Sequence, residues 1–130
     1  MDYASWYHKL NKPFWAPKDW AFGVAWSILY PIIIVVNVYV TVLLVKGKIG
    51  WLIALPFWLN LFFNIIFSPI QFNLKNNSLA LADAVLILVT TIWAMLAIWP
   101  HNRLLAFAFV PYLIWVCIAV TLQAYIVLHN

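Results

Sequence analysis

The chain has 130 residues, of which 68% are hydrophobic and 8% charged, with a net charge of +4. A chain this short and this apolar has too little polar surface to close a water-soluble fold, so it reads as an integral membrane protein. Its cations stand singly at the ends of apolar runs, which suits anionic lipid headgroups and lacks the basic stripe that nucleic acid needs.

Residues 1–19 carry tryptophan, proline and both charge signs without an apolar core, which is unlike a cleavable leader. Trp6, Trp15 and Trp20 alternate there with Pro13, Pro17, Lys9, Lys12 and Lys18. Indole rings and fixed-φ prolines beside a bilayer predict a stiff interfacial lid leading into the first helix. Four apolar stretches follow, at about 20–45, 50–70, 79–99 and 104–128. Each is long enough to cross the hydrocarbon core as a helix, and none alternates as a barrel strand would. The connectors are short, so the fold class is an all-α bundle of four antiparallel transmembrane helices in a single membrane domain spanning 1–130. Lys9, Lys12, Lys18 and Lys75 fall on one side of the membrane, against Lys46, Lys48 and Arg103 on the other. Positive-inside bias then places both termini in the cytoplasm, by the margin of a single charge.

Polar and helix-breaking residues inside the spans carry the functional information, because each is costly in lipid unless buried against protein or ligand. Pro31, Pro56 and Pro111 each remove an intrahelical bond, and kinked helices leave room between them. Asn60, Asn64 and Ser68 recur every four residues on one face of the second helix, where they serve either interhelical hydrogen bonds or ligand contact. Asp83, about one turn into the third helix, is expected to cap that helix or to pair with a lysine such as Lys75. Ala80 and Ala84 form a small-xxx-small step suited to a homodimer. His8, His101 and His129 lie in loops or at the terminus without ligand spacing, so no metal site is expected. Cys117 stands alone mid-span and reads as a packed small residue. Counting about 1.5 Å per residue puts Trp26, Asn64, Asp83, Trp115, Ala119 and Gln123 in one layer beneath the tryptophan-rich segment.

Trp6, Tyr7, Leu10, Lys12, Pro13, Trp15, Pro17, Trp20, Phe22, Trp26, Leu29 and Tyr30 form one continuous pattern. Leu59-Asn60, Ala82-Asp83 and the run Pro111, Tyr112, Trp115 and Ala119 extend it over nearly the whole chain. The pattern resembles the TspO/MBR family of tryptophan-rich sensory and translocator proteins. Family members have a further helix ahead of the Trp-Tyr motif, and here Met1 stands five residues before Trp6, so the chain reads as four of the family's five helices. Other departures are Lys18 in place of the second loop proline, Pro56, Phe63, and Gln123 after Leu122. The family's cholesterol-recognition pattern fails because His129, not a Lys or Arg, follows Tyr125.

The resemblance implies an intramembrane pocket that binds protoporphyrin IX-like tetrapyrroles or other hydrophobic ligands, serves tetrapyrrole handling and stress response, and requires no cofactor. Its lining would be Phe22, Gly23, Trp26, Asn60, Phe63, Ala82, Leu86, Trp115, Ala119 and Leu122. Flat aromatic faces suit a flat macrocycle, and the small residues leave it space. No acid–base pair or nucleophile marks a catalytic centre, so a receptor or carrier in a bacterial cell membrane is the leading expectation. The alternatives are light- and oxygen-dependent porphyrin breakdown, with the family's implicated tryptophans at Trp26 and Trp115, and a structural subunit completed by a partner helix.

Overall fold

The computed structural model describes residues 15–16, 19–70 and 74–129. The expected lid, with Trp6, Tyr7, Lys12, Pro13 and Pro17, lies outside the described residues apart from Trp15 and Ala16, and so does the Ser68 side chain. Apolar side chains exceed what a bundle of this size can bury, and the excess faces outward: Val35, Leu52, Ile65, Leu96 and Leu104 are all exposed. In water that surface would aggregate; in a bilayer it is the lipid-facing coat.

Helix α1 spans Asp19–Val45, α2 Trp51–Ser68, α3 Asn77–Ile98, α4 Arg103–Ala108 and α5 Val110–His129. No strand occurs among the described residues. Three stretches are long and apolar enough to span a membrane: Trp20–Val45, Asn77–Ile98 and Arg103–His129, the last combining α4 and α5. α2 is shorter at 18 residues, about 27 Å of rise. Past its end the Leu74 N–H bonds the Pro69 carbonyl at 3.0 Å.

The last span is therefore two segments rather than one. Phe109 breaks the run, its N–H bonding the carbonyls of Ala106 and Phe107, two residues before Pro111. Proline has no N–H to offer the carbonyl of Phe107, and the chain satisfies that carbonyl from Phe109 instead. Asn76 and Asn102 cap α3 and α4, their side chains accepting from the N–H groups of Leu79 and Leu105.

α1 ends in a Schellman motif. The Lys48 N–H bonds the Leu43 carbonyl at 2.9 Å and the Gly47 N–H bonds that of Leu44 at 3.0 Å. Gly47 sits at φ 73°, where a Cβ is strained. Gly47→Ala is expected to cost about 1 kcal/mol, read as a lowered thermal midpoint in detergent. An unchanged midpoint would show that this cap contributes nothing.

α3 is the central element, running along both α2 and α5, while α1 leans on α2 and touches α4 and α5. Leu29, Ile33, Val36 and Val40 are spaced along one face of α1 and enter the core with Phe57 of α2 and Ile98 of α3. Ala80 and Ala84 are buried inside this bundle. The step expected to serve a homodimer is occupied within the chain, where small residues let α3 approach its neighbours closely.

Candidate functional site

Phe22, Trp26 and Tyr30 recur every four residues on α1 and so share one face of it. That face meets Trp115 of α5. The Trp26 and Trp115 rings stand edge to face, with centroids 6.3 Å apart and planes at 87°. Phe22 meets Trp115 in the same manner at 5.5 Å, and the Tyr30 ring lies 5.1 Å from Trp26. Edge-to-face contact matches the positive rim of one ring to the negative face of the next.

Directly beyond this cluster lies a polar layer that ties all four helical spans together. The Tyr30 hydroxyl donates to Asn64 Oδ1 at 2.7 Å, and Asn64 Nδ2 donates to the Tyr112 hydroxyl at 2.7 Å. Tyr112 donates in turn to Asn60 Oδ1 at 3.0 Å. Asn60 Nδ2 completes the chain on α3, bonding Thr91 Oγ1 at 2.8 Å, Thr90 Oγ1 at 3.1 Å and the Ile87 carbonyl at 3.1 Å. Both threonines also donate to carbonyls of their own helix. Polar groups in a low-dielectric interior are stable only when paired, and here each side-chain amide and phenol is paired with another.

This layer decides between the two readings of the asparagine stripe. Asn60 is fully buried, with its amide engaged on both sides, so it holds helices together and its N–H donors are committed within the bundle. Asn64 does the same between Tyr30 and Tyr112. Thr90 and Thr91 were not singled out from the sequence. Their signal was two adjacent hydroxyls in an otherwise aliphatic span.

Below the polar layer burial is less complete. Along α5, Tyr112, Val116, Gln123 and Ile126 are buried on one stripe, yet Ala119 in the middle of that stripe is only half-buried. Trp26, Phe22 and Trp115 are half-buried at the same end of the bundle. Gly23 is exposed, and a Cβ built on it would meet nothing within 4 Å. Leu122 is buried one turn beyond Ala119. Phe63 is half-buried against Phe62 on α2. Ala82 and Leu86 are exposed, on the same stripe of α3 as Val89 and Trp93. The structure thus brings Phe22 and Trp26 into contact with Trp115, leaves Ala119 half-buried, and puts Ala82 and Leu86 on the outer face.

Two polar atoms near this layer are orphaned. Asp83 is 4% exposed, and its Oδ2 is buried without a hydrogen-bond partner; Trp115 Nε1 is likewise buried and unpaired. Asp83 does not cap α3, since Asn76 does. An unpaired buried group costs roughly 1–3 kcal/mol, more in the absence of water. Asn37 Oδ1 is also unpaired, about two turns past Tyr30 and away from the aromatic cluster. Gln123, where the resemblance anticipates asparagine, donates from Nε2 to the Asn77 carbonyl at 3.0 Å and pins α5 to the start of α3. No group of three or more His, Cys, Asp or Glu suited to a metal ion occurs among the described residues.

The family model of the TspO/MBR family matches residues 1–128. The tryptophan-rich sensory protein of Cereibacter sphaeroides is 35% identical over 122 residues, covering 91% of this chain and 72% of its own. Protein CrtK of Rhodobacter capsulatus is 32% identical over 116 residues, covering 88% and 72%. The tryptophan-rich protein TspO of Bacillus cereus is 32% identical over 124 residues, covering 92% and 76%. These relatives are bacterial, and the apolar spans place this chain among them as an integral, multi-pass membrane protein. With an all-helical membrane bundle, a Trp26–Trp115 pair across it and a family match from end to end, the chain belongs to the TspO/MBR family.

Proposed function

We propose that this protein is a membrane receptor or carrier that takes up porphyrin-like tetrapyrroles, such as protoporphyrin IX, in the half-buried layer around Trp26, Trp115 and Ala119. It would hold them reversibly as part of tetrapyrrole handling and stress response. The observation that carries this reading is the pair of half-buried indoles, 6.3 Å apart, beside the half-buried Ala119 and under a closed polar layer. Aromatic faces supply large contact area to a flat macrocycle, and the saturated layer behind them stops the ligand from competing for the bonds that hold the helices.

Titration of the purified protein with protoporphyrin IX, followed by tryptophan quenching and porphyrin absorbance, tests it. Saturable binding is expected, weakened about threefold to tenfold by Trp26→Phe and by Trp115→Phe. Unsaturable partitioning, or variants that bind like the parent, would defeat the reading. Illumination of the complex in air separates a carrier from the light-dependent enzyme. A carrier returns the ligand spectrum unchanged, whereas breakdown that depends on Trp26 and Trp115 would yield a new chromophore.

A further inference from the structure

The chain reverses at each connector, so the α1–α2 and α3–α4 connectors share the end of the bundle away from the start of α1. At that end Trp99, Arg103 and Phe107 form a stack across the turn from α3 to α4. The Arg103 guanidinium lies 5.1 Å from the centroid of the Trp99 ring, within cation–π range, and Phe107 meets that ring edge to face at 5.3 Å. The turn beneath the stack is tied down. The N–H groups of His101 and Asn102 both bond the carbonyl of the fully buried Ile98, at 2.9 and 2.7 Å, and Asn102 Oδ1 accepts from the Leu105 N–H at 3.2 Å. Trp99, Arg103, Leu104 and Phe107 are nevertheless all exposed, and the guanidinium N–H groups have no acceptor among the described residues. Lys46 and Lys48, in the α1–α2 connector, are exposed at the same end. The three acids of the chain are Asp2, Asp19 and Asp83. Asp19 and Asp83 stand at the opposite end, by the starts of α1 and α3, and Asp2 lies outside the described residues. Among the described residues, this end therefore holds Lys46, Lys48 and Arg103 and no carboxylate.

We infer that the Trp99–Arg103 stack is a binding site for the phosphate of an anionic phospholipid, separate from the indole-lined layer and independent of the tetrapyrrole reading. Membrane anchoring alone needs only an indole at this depth. Here the indole also holds a guanidinium, which is always charged and binds phosphate through two parallel N–H···O bonds. A guanidinium already stacked on a ring, on a turn already fixed, loses little freedom when it takes that phosphate. Arg103 opens the apolar span Arg103–His129, so the exposed Leu104 and Phe107 that follow it present apolar surface to the acyl chains of the same lipid. Charge balance selects the headgroup. A zwitterionic headgroup brings an ammonium to an end that has three cations and no carboxylate to receive it, whereas an anionic headgroup brings only the charge these cations lack.

The test titrates the full chain in nonionic detergent with phosphatidylglycerol and phosphatidylcholine of matched acyl chains, and counts bound lipid by native mass spectrometry. It is run at about 0.15 M salt, where exposed charges more than about 8 Å from a headgroup are largely screened. The parent should prefer phosphatidylglycerol by about tenfold, the contribution of hydrogen bonds between charged groups. Arg103→Gln should reduce that preference to within about twofold, and Trp99→Leu, which frees the guanidinium, should weaken phosphatidylglycerol about threefold. Arg103→Lys keeps the charge but not the fork and should lose about threefold. The double variant Lys46→Gln/Lys48→Gln removes more charge than Arg103→Gln, yet should change the preference by no more than about twofold. No preference in the parent, or a loss in the double lysine variant as large as that in Arg103→Gln, overturns the inference, because the end then acts as a diffuse field without a site. Displacement of the lipid by excess inorganic phosphate overturns the lipid as occupant. If Arg103→Gln does not fold, Arg103→Lys decides, and a lysine variant that binds like the parent overturns the inference.

Discussion

Asn60→Leu is expected to destabilise the bundle by about 2–4 kcal/mol, although the substitution keeps the branching and heavy-atom count of the side chain and adds an apolar group to a membrane interior. The cost is unevenly spread over the bonds that Asn60 makes. Thr90 and Thr91 each keep a bond to a carbonyl of their own helix, so they lose little. Tyr112 is different: it still accepts from Asn64, but its own hydroxyl proton loses its acceptor at the centre of the bundle. Interhelical hydrogen bonds in membrane proteins contribute only about 0.6 kcal/mol on average, so the stranded phenol is the larger part of the cost. Unfolding in mixed detergent micelles, followed by tryptophan fluorescence, measures it. The diagnostic comparison is a cycle with Tyr112→Phe, in which the hydroxyl is already gone. There Asn60→Leu should cost about 1–2 kcal/mol less. Equal costs in the two backgrounds would show that the Tyr112–Asn60 bond is energetically idle.

The second large effect is expected at Phe109, which is fully buried between Phe57 at 5.4 Å and Tyr112 at 5.3 Å. It also stands at the break between α4 and α5. Phe109→Ala should cost about 3–4 kcal/mol, because two rigid helical segments have little freedom to collapse into the cavity. Phe109→Leu should cost less than about 1.5 kcal/mol. Phe107, two residues away and 58% exposed, is the control. Lipid refills the space that Phe107→Ala vacates, and its cost should stay within about 0.5 kcal/mol. If the two alanine variants unfold alike, Phe109 is not a packing anchor and the break is held by backbone bonds alone.

The two variants separate stability from binding. Asn60 and Phe109 sit behind the indole pair, so ligand lost through either should return when the protein is assayed under conditions where it remains folded. Loss through Trp26 or Trp115 should persist in the folded state. That distinction applies directly to Asn60, which family resemblance places among ligand contacts and the hydrogen bonds place among helix contacts.

The all-helical membrane class was legible because the bilayer imposes one simple demand: an uninterrupted apolar run of about 20 residues, with backbone bonds closed within it. The aromatic face of α1 was equally legible, since Phe22, Trp26 and Tyr30 follow helical spacing. The interruption at Phe109 was not, because Pro111 announces a weakened helix without saying which residue takes up the change. The small step at Ala80 and Ala84 was legible as a close-approach surface but not as an inward one. A small-xxx-small pattern states that a helix comes near, and leaves open whose helix it is.

The sequence by itself determined the membrane environment, the family and the presence of aromatic and polar residues at a common depth, because these follow from composition and from spacing along single helices. Only the tertiary structure decided which polar groups are spent and which are spare. Asn60 pairs with Thr91 and with Tyr112, 31 and 52 residues away, while Asp83 is left with an unpaired oxygen. Partners of that kind are set by how helices rotate against one another, a choice made by packing across the whole bundle, which periodicity within any one helix does not encode.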